Sequence, residues 1–443
     1  MLTDITGRGA LFVLILLWLA PVTGFGQTDL SLRELVDQAL ETNYQIQVIR
    51  QAERIADNSN TRGNAGMLPE VNMTGELRTA INNSRQEFFT GDSQQANNAR
   101  RNSASVGVEA RWVVFDGLAM FARKDRLEQL VELSRADTRF FMEQTVADLA
   151  TAYYQLQQEA ELLDAFRESL EVSRARLDFA ERARAIGTGT ELDIQLARVD
   201  FNTDSSLVIN QESRLLEFTL TINRLINREL TATVNPTDSI RLHTAFDLPA
   251  LIASAKTNNT ALSQQQLAEL IALSESEMAE GALYPQVELY GRYDFSRQKN
   301  EIGFLQSSRS FGPEYGIRVR FNLFTGRQEQ IARENAIIAA TTEQLRSRDL
   351  DQEIETALHT AYLRWENRRR QAVLEEESMA AAAKALEIAR GQYELGALTN
   401  IEFRVIQLNV VNAKTRFLQA QYQAKYREIE LLRLSGQLLQ EVW

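Results

Sequence analysis

Two phrases in this 443-residue chain carry the polar spacing that local chemistry requires. They are Gly187-Thr188-Gly189-Thr190 followed by Asp193, and Gly396-Ala397-Leu398-Thr399 followed by Glu402. In each, a threonine stands three residues before a carboxylate, the spacing at which side chain and backbone amide satisfy one another at a helix start. The glycine ahead of each suits the left-handed residue that ends a preceding helix. Capping is therefore the first chemistry these residues offer. Catalysis is not expected, because the chain shows no Ser-His-Asp set, no phosphate-binding glycine loop and no metal cluster. There is no cysteine, and the only histidines, His243 and His359, lie in helical or helix-approaching stretches. Neither an enzyme nor a cofactor-binding protein is expected.

A second polar pattern has period two. Glu76 and Arg78 alternate with Val71, Met73, Leu77 and Thr79, while Glu109 and Arg111 alternate with Val106, Val108, Ala110 and Trp112. Glu288, Arg292 and Asp294 alternate with Val287, Leu289, Tyr293 and Phe295. Arg318 and Arg320 alternate with Ile317, Val319 and Phe321. Such segments are strands with one apolar and one charged face. They are predicted over about 69–81, 104–115, 285–296 and 316–324, with polar loops between the members of each pair. Each is about the length a tilted strand needs to cross a bilayer.

These elements recur in order. Pro69 matches Pro285 at an offset of 216, and Trp112-Val-Val-Phe115-Asp-Gly117 matches Phe321-Asn-Leu-Phe324-Thr-Gly326 at 209, as does Thr151-Ala-Tyr153 with Thr360-Ala-Tyr362. Two repeats follow, 27–235 and 236–443. All six prolines sit at punctuation, and none interrupts 70–235 or 314–443. Proline breaks helix interiors, so these stretches are free to hold long helices, predicted near 118–184, 190–228, 327–394 and 400–438. Shorter helices are expected from Ser31 to about Gly66, opened by the box Ser31–Glu34, and over 248–282; Asp116 is the expected N-cap of the helix near 118–184. A helix of 66 residues would reach about 100 Å at 1.5 Å per residue, too long for one compact core. It must lie against others in a coiled bundle.

The formal net charge of −12 opposes nucleic acid. Residues 1–26 have the parts of a secretory signal, with Arg8, an apolar run from Ala10 to Ala20, and Gly26 as the expected cleavage point. No later apolar run approaches 18 residues, so membrane entry could only be as a β-barrel. Four strands cannot close a barrel, and an open edge is not tolerated in lipid. Several chains would have to pool strands, and 8, 12 or 16 are all admissible. The charged faces would then line a wet lumen, with Trp112, Phe115, Tyr284 and Phe324 at its rim. A coiled-coil scaffold without a pore is the competing reading.

The order of elements, the duplicated aromatic-x-x-Phe-x-Gly phrase and the Gly-x-x-Thr turns resemble the TolC-like outer-membrane efflux channels, over about Leu30 to Leu439. The resemblance implies a mainly α protein with a membrane β-barrel part. Three chains would form a 12-stranded barrel in outer-membrane lipid and a periplasmic tunnel of twelve helices, fed by an inner-membrane pump through a periplasmic adaptor. It implies adaptor contact at Gly187, Thr188, Gly189, Thr190, Gly396, Ala397, Leu398 and Thr399, and an entrance gate at Asp193, Tyr393 and Glu402, with Tyr393 bonded to Asp193. Val405 stands where related channels carry a second acidic residue.

Overall fold

The computed structural model describes residues 29–303 and 305–442. The expected signal segment, 1–26, lies outside the described residues. Four long helices dominate. They are α3 (Ala119–Ala185), α4 (Glu191–Leu225), α7 (Gln328–Glu394) and α8 (Asn400–Leu434). The first and third have 67 residues each, the second and fourth 35 each. The same pair of lengths thus occurs in each half of the chain. The remaining helices are α1 (Leu32–Thr42), α2 (Tyr44–Ser59), α5 (Leu248–Asn258), α6 (Thr260–Gly281) and α9 (Leu438–Val442).

Two single helices expected in the sequence are each split. Asn43 interrupts the first and Asn259 the other, both extended at ψ 124° and 120°. The physical cause is the same at both. Asn43 Oδ1 accepts the Gln45 and Ile46 amides at 2.9 and 3.3 Å, while its Nδ2 donates to the Leu225 carbonyl at 2.8 Å. Asn259 accepts the Leu262 amide at 3.1 Å and donates to the Leu434 carbonyl at 2.8 Å. One side chain thus caps a new helix and the carbonyl end of a distant one. The two asparagines stand at the offset of 216 that separates Pro69 from Pro285.

Around these breaks lies the core. Leu35, Ile46, Leu149, Leu156 and Ile222 are buried in one cluster, and Leu358, Trp365 and Leu431 in a second. Tyr153, fully buried, accepts the Thr237 and Asp238 amides at 3.0 and 3.1 Å and sits 3.0 Å from Asp238 Oδ2. It thereby anchors the inter-repeat linker, where β4 (Asn235–Pro236) pairs in parallel with β1 (Asp29–Leu30).

The other strands, β2 (Glu70–Glu87), β3 (Ser93–Phe115), β5 (Gln286–Asn300) and β6 (Ser307–Arg320), form one antiparallel sheet in the order β2-β3-β5-β6. The ladders run well past the expected ends, so most of the predicted polar loops 82–103 and 297–315 is strand. Backbone amides must pair whatever the side chains. Where both faces are wet, alternation fades but pairing does not. At the other end β6 stops at Arg320, short of the expected 324.

After Phe115 and Arg320 the chain turns into α3 and α7. The turn is made by paired left-handed residues, Gly117 and Leu118 at φ 71° and 70°, and Gly326 and Arg327 at φ 66° and 66°. Asp116 accepts the Met120 amide at 3.0 Å as expected of a cap, although Leu118 holds the N-cap position.

Candidate functional site

The two long hairpins end in turns of one design. Gly187 (φ 83°) and Gly396 (φ 73°) take the left-handed conformation that closes a helix. The amides of Thr188 and Gly189 both reach the Ala183 carbonyl, at 2.9 and 3.0 Å, and the amide of Ala397 reaches the Gln392 carbonyl at 2.9 Å. Thr190 and Thr399 then start the next helices as complete capping boxes. The Asp193 carboxylate accepts the Thr190 amide at 3.0 Å and hydroxyl at 2.6 Å; Glu402 accepts those of Thr399 at 2.8 and 2.7 Å. The tip residues read from the sequence are therefore brought together in two compact turns, and their first role is capping.

These bonds favour the ionised carboxylates. The hydroxyl and amide of Thr190 hold Asp193 below the usual aspartate range, and the amide and hydroxyl of Thr399 do the same for Glu402. A group whose value is lowered in the folded chain contributes order that is present above its unfolded value and lost as pH falls through its folded value. Spin labels at Leu398 and Thr188 are therefore expected to gain mobility as the pH drops below the ordinary carboxylate range. Asp193→Asn and Glu402→Gln should flatten that response, each at its own turn.

Tyr393 departs from the expected pairing. Its ring stacks on Phe403 with centroids 4.8 Å apart and leans on Phe179 of the first hairpin at 6.0 Å. No hydrogen bond joins its hydroxyl to Asp193, whose carboxylate is committed to Thr190, and the positive Arg176 guanidinium lies near it instead. Burial raises the phenol above its usual value, with Arg176 working the other way. Tyr393 and Asp193 still line one cleft of about 230 Å³ between the two tips, with Thr188, Gly189, Gly396 and Leu398.

Deeper in the bundle lies a buried polar network that the sequence reading missed. Arg404, 7 % exposed, grips Asp204, 2 % exposed, through two parallel bonds of 2.9 and 2.8 Å. Burial opposes its charge, but Asp204 prevails and raises Arg404 above the ordinary arginine value. Ser173 also bonds to Asp204, Gln407 Nε2 donates to the Ser169 carbonyl at 3.1 Å, and Arg176 joins Asp200 at 3.1 Å to Asn400 at 2.8 Å. Three helices, α3, α4 and α8, are thus pinned to one another. The polar residues stand at helical spacing, Ser169, Ser173 and Arg176 on one helix and Asp200 and Asp204 on another, which is equally the spacing of a solvated face.

On the sheet, the charges predicted to face a lumen share one face. Glu109, Arg292 and Glu314 stand side by side in register, with Arg292 Nε 3.0 Å from Glu314. Arg292 also lies 3.1 Å from Asp294; Arg111 meets Glu109 at 2.9 Å and Arg318 meets Glu288 at 2.6 Å. Glu76 and Arg78 lie farther along, level with Ser105 and Ser103, and Arg320 stands opposite Gln286. The opposite face is apolar throughout the band from Val287 to Phe295. Trp112 marks its helix-side margin, its indole donating to the Met67 carbonyl at 2.9 Å.

A continuous apolar face on an open sheet, helices far longer than any compact core, and two matched tips coincide with one known architecture. The profile of the outer membrane efflux protein family matches residues 35–228 and 251–437. The chain belongs to the outer membrane efflux protein family. It is an outer-membrane protein of a channel family. Outer membrane efflux protein BepC from Brucella suis is 23 % identical over 350 residues, spanning 76 % of this chain and 73 % of BepC. The Campylobacter jejuni CmeC outer membrane channel superposes with a TM-score of 0.77 at 14 % identity, over 92 % of this chain and 86 % of CmeC. The outer membrane protein VceC from Vibrio cholerae gives 0.72 at 13 % identity, over 91 % and 96 %. At such identities the superpositions establish a shared fold.

Proposed function

We propose that this protein is the passive exit duct of a tripartite efflux or type I secretion system, working as a homotrimer. The observation that carries the reading is the incomplete sheet. Within the chain β2 and β6 have free edges, yet their outward face is an apolar band that belongs in lipid. Unpaired backbone edges are untenable there, so neighbouring copies must supply the missing pairing. The helices make the same demand. Ile331, Ile338 and Leu345 recur every seven residues along α7 and are 48, 62 and 59 % exposed. Tyr44, Val48 and Ile55 form an uncovered stripe on α2, 65, 69 and 65 % exposed. In a ring of subunits these two flanks meet, and three chains give twelve strands and twelve tunnel-forming helix segments.

A lumen of paired charges would be wet and weakly selective, because neighbouring opposite charges cancel at a distance and salt screens the remainder. Selection of cargo then belongs to the pump. Adaptor and pump engage the periplasmic tips at Gly187–Thr190 and Gly396–Thr399, and the hairpins move apart to open the entrance. Asp193, Tyr393 and Glu402 hold that entrance at rest. Val405, 53 % exposed one turn after Glu402, places an apolar collar behind a single acidic one.

Single-channel recording in planar bilayers tests this. Purified protein should form pores of low resting conductance, and Glu402→Ala or Asp193→Ala should raise that conductance severalfold by loosening a tip. Absence of any pore would refute the duct; unchanged conductance in both variants would remove these carboxylates from the gate.

A further inference from the structure

Register places a cluster of cations where the lipid-facing band ends. On β5 the outward positions run Val287, Leu289, Gly291, Tyr293, Phe295, then Arg297 and Lys299. On β6 they run from Val319 back to Phe311, then Arg309. The apolar positions from Val287 to Phe295 cover roughly 20 Å of height for a strand rising 3.4 Å per residue at a tilt near 40°, close to the lipid-contacting band of a barrel. The basic residues begin on the next rung. Arg297 faces Arg309 directly, level with Leu77 and Ala104, and Arg100 stands opposite Ile81 a little beyond.

Three features set this cluster apart from a solvated charge run. Arg297 and Arg309 are like charges in direct cross-strand register, an arrangement that is destabilising unless an anion sits between them. All four side chains are exposed and among the described residues none forms an ion pair or hydrogen bond, and the one carboxylate beside them, Glu301, accepts the Arg100 backbone amide at 2.8 Å. On the lumen face Arg111, Arg292 and Arg318 each hold a carboxylate, whereas Arg78 and Arg320, toward its two ends, hold none among the described residues. Finally, no Asp or Glu occupies an outward position on any of the four strands from Val71, Arg100, Val287 and Ser307 onward through the band.

The cations also lie at one end only. The helices leave the sheet at the Trp112 and Tyr284 margin, whereas the basic rung lies on the side of the hairpin turns, which in an outer-membrane protein is the outer leaflet. We propose that Arg297 and Arg309, flanked by Lys299 and Arg100, form a binding site for the phosphate groups of an outer-leaflet lipid. Two guanidinium forks on adjacent strands match phosphate oxygens bidentately, while the acyl chains lie along Phe295, Phe311 and Tyr293. Basic clusters at the edge of a membrane-embedded surface recognise anionic headgroups in this way. The inference rests on the reading that the strands span lipid.

The test uses full-length protein in phosphatidylcholine nanodiscs doped with lipid A or with dephosphorylated lipid A, with bound lipid counted by native mass spectrometry. Wild type should retain lipid A over its dephosphorylated form. Arg297→Gln combined with Arg309→Gln should lower that retention about tenfold, the loss of a charge-assisted contact; Arg346→Gln on α7 should not. Equal retention by wild type and the double variant would overturn the site while leaving the membrane reading intact. Displacement by inorganic phosphate at matched concentration would overturn the assignment to lipid. Failure to enter either nanodisc would overturn the membrane reading and this site together.

Discussion

Arg404→Met should be among the most damaging single substitutions in the helical part, lowering stability by about 3–5 kcal/mol. The cost does not come from a lost attraction alone. Asp204 would remain 2 % exposed with its carboxylate facing a methionine, and the neutral hydroxyls of Ser173 and Ser169 cannot replace two charge-assisted bonds. Converting the pair to Arg404→Met with Asp204→Leu removes the stranded charge as well, and should recover most of the loss, since apolar replacement of a buried ion pair is often neutral. Thermal unfolding of wild type, both singles and the double gives the coupling between the two residues. The same variants separate stability from gating. Arg404 ties the start of α8 to α3 and α4, so Arg404→Met should also raise resting conductance, and the double variant should keep that rise while regaining stability. If the double is as unstable as the single, the network is not held by this pair.

That network also shows what sequence can and cannot reveal here. The duplicated phrases and the two capping boxes were legible because their physics is local. A glycine in the left-handed region and a threonine three residues before a carboxylate act on their own backbone. Arg404 and Asp204 are 200 residues apart, and nothing local distinguishes them from the solvated charges that cover the rest of these helices. Only the packing of three helices decides which arginine is buried.

The misread elements have equally specific causes. Asn43 and Asn259 break helices because each finds a carbonyl on a distant helix end, Leu225 or Leu434; an isolated asparagine in an amphipathic run carries no such sign. Strand ends were misplaced where the apolar alternation stops while hydrogen-bond pairing continues to Glu87 and Asn300. Tyr393 was matched to Asp193, but a capping box already engaged that carboxylate, a fact readable in Thr190-Glu-Leu-Asp193 itself. Local satisfaction took precedence over a longer-range bond.

Gly117→Ala and Gly326→Ala are expected to fail in different ways, although the two glycines open equivalent helices with φ of 71° and 66°. Both substitutions carry the same backbone cost, about 1–2 kcal/mol for an alanine held in the left-handed region. Their surroundings differ. A methyl at Gly117 would overlap the carbonyl of Gly281, where α6 ends against α3, and Gly281 itself has room for no side chain, since its own methyl would come within 2.8 Å of Ala119. Gly117→Ala should therefore separate α3 from α6 and reduce the yield of folded chains. A methyl at Gly326 would meet nothing within 4 Å beyond its own chain neighbours. In the homotrimer proposed above, repeat symmetry would give the end of α2 from a neighbouring subunit, beside α7, the place that α6 takes beside α3. Gly326→Ala should accordingly fold as a monomer and fail to assemble, which size-exclusion chromatography with light scattering in detergent would register as loss of trimer without loss of helicity. A Gly326→Ala protein that assembles as readily as wild type would mean that α7 meets its neighbour elsewhere, and the subunit ring inferred from the uncovered stripes on α2 and α7 would have to be redrawn.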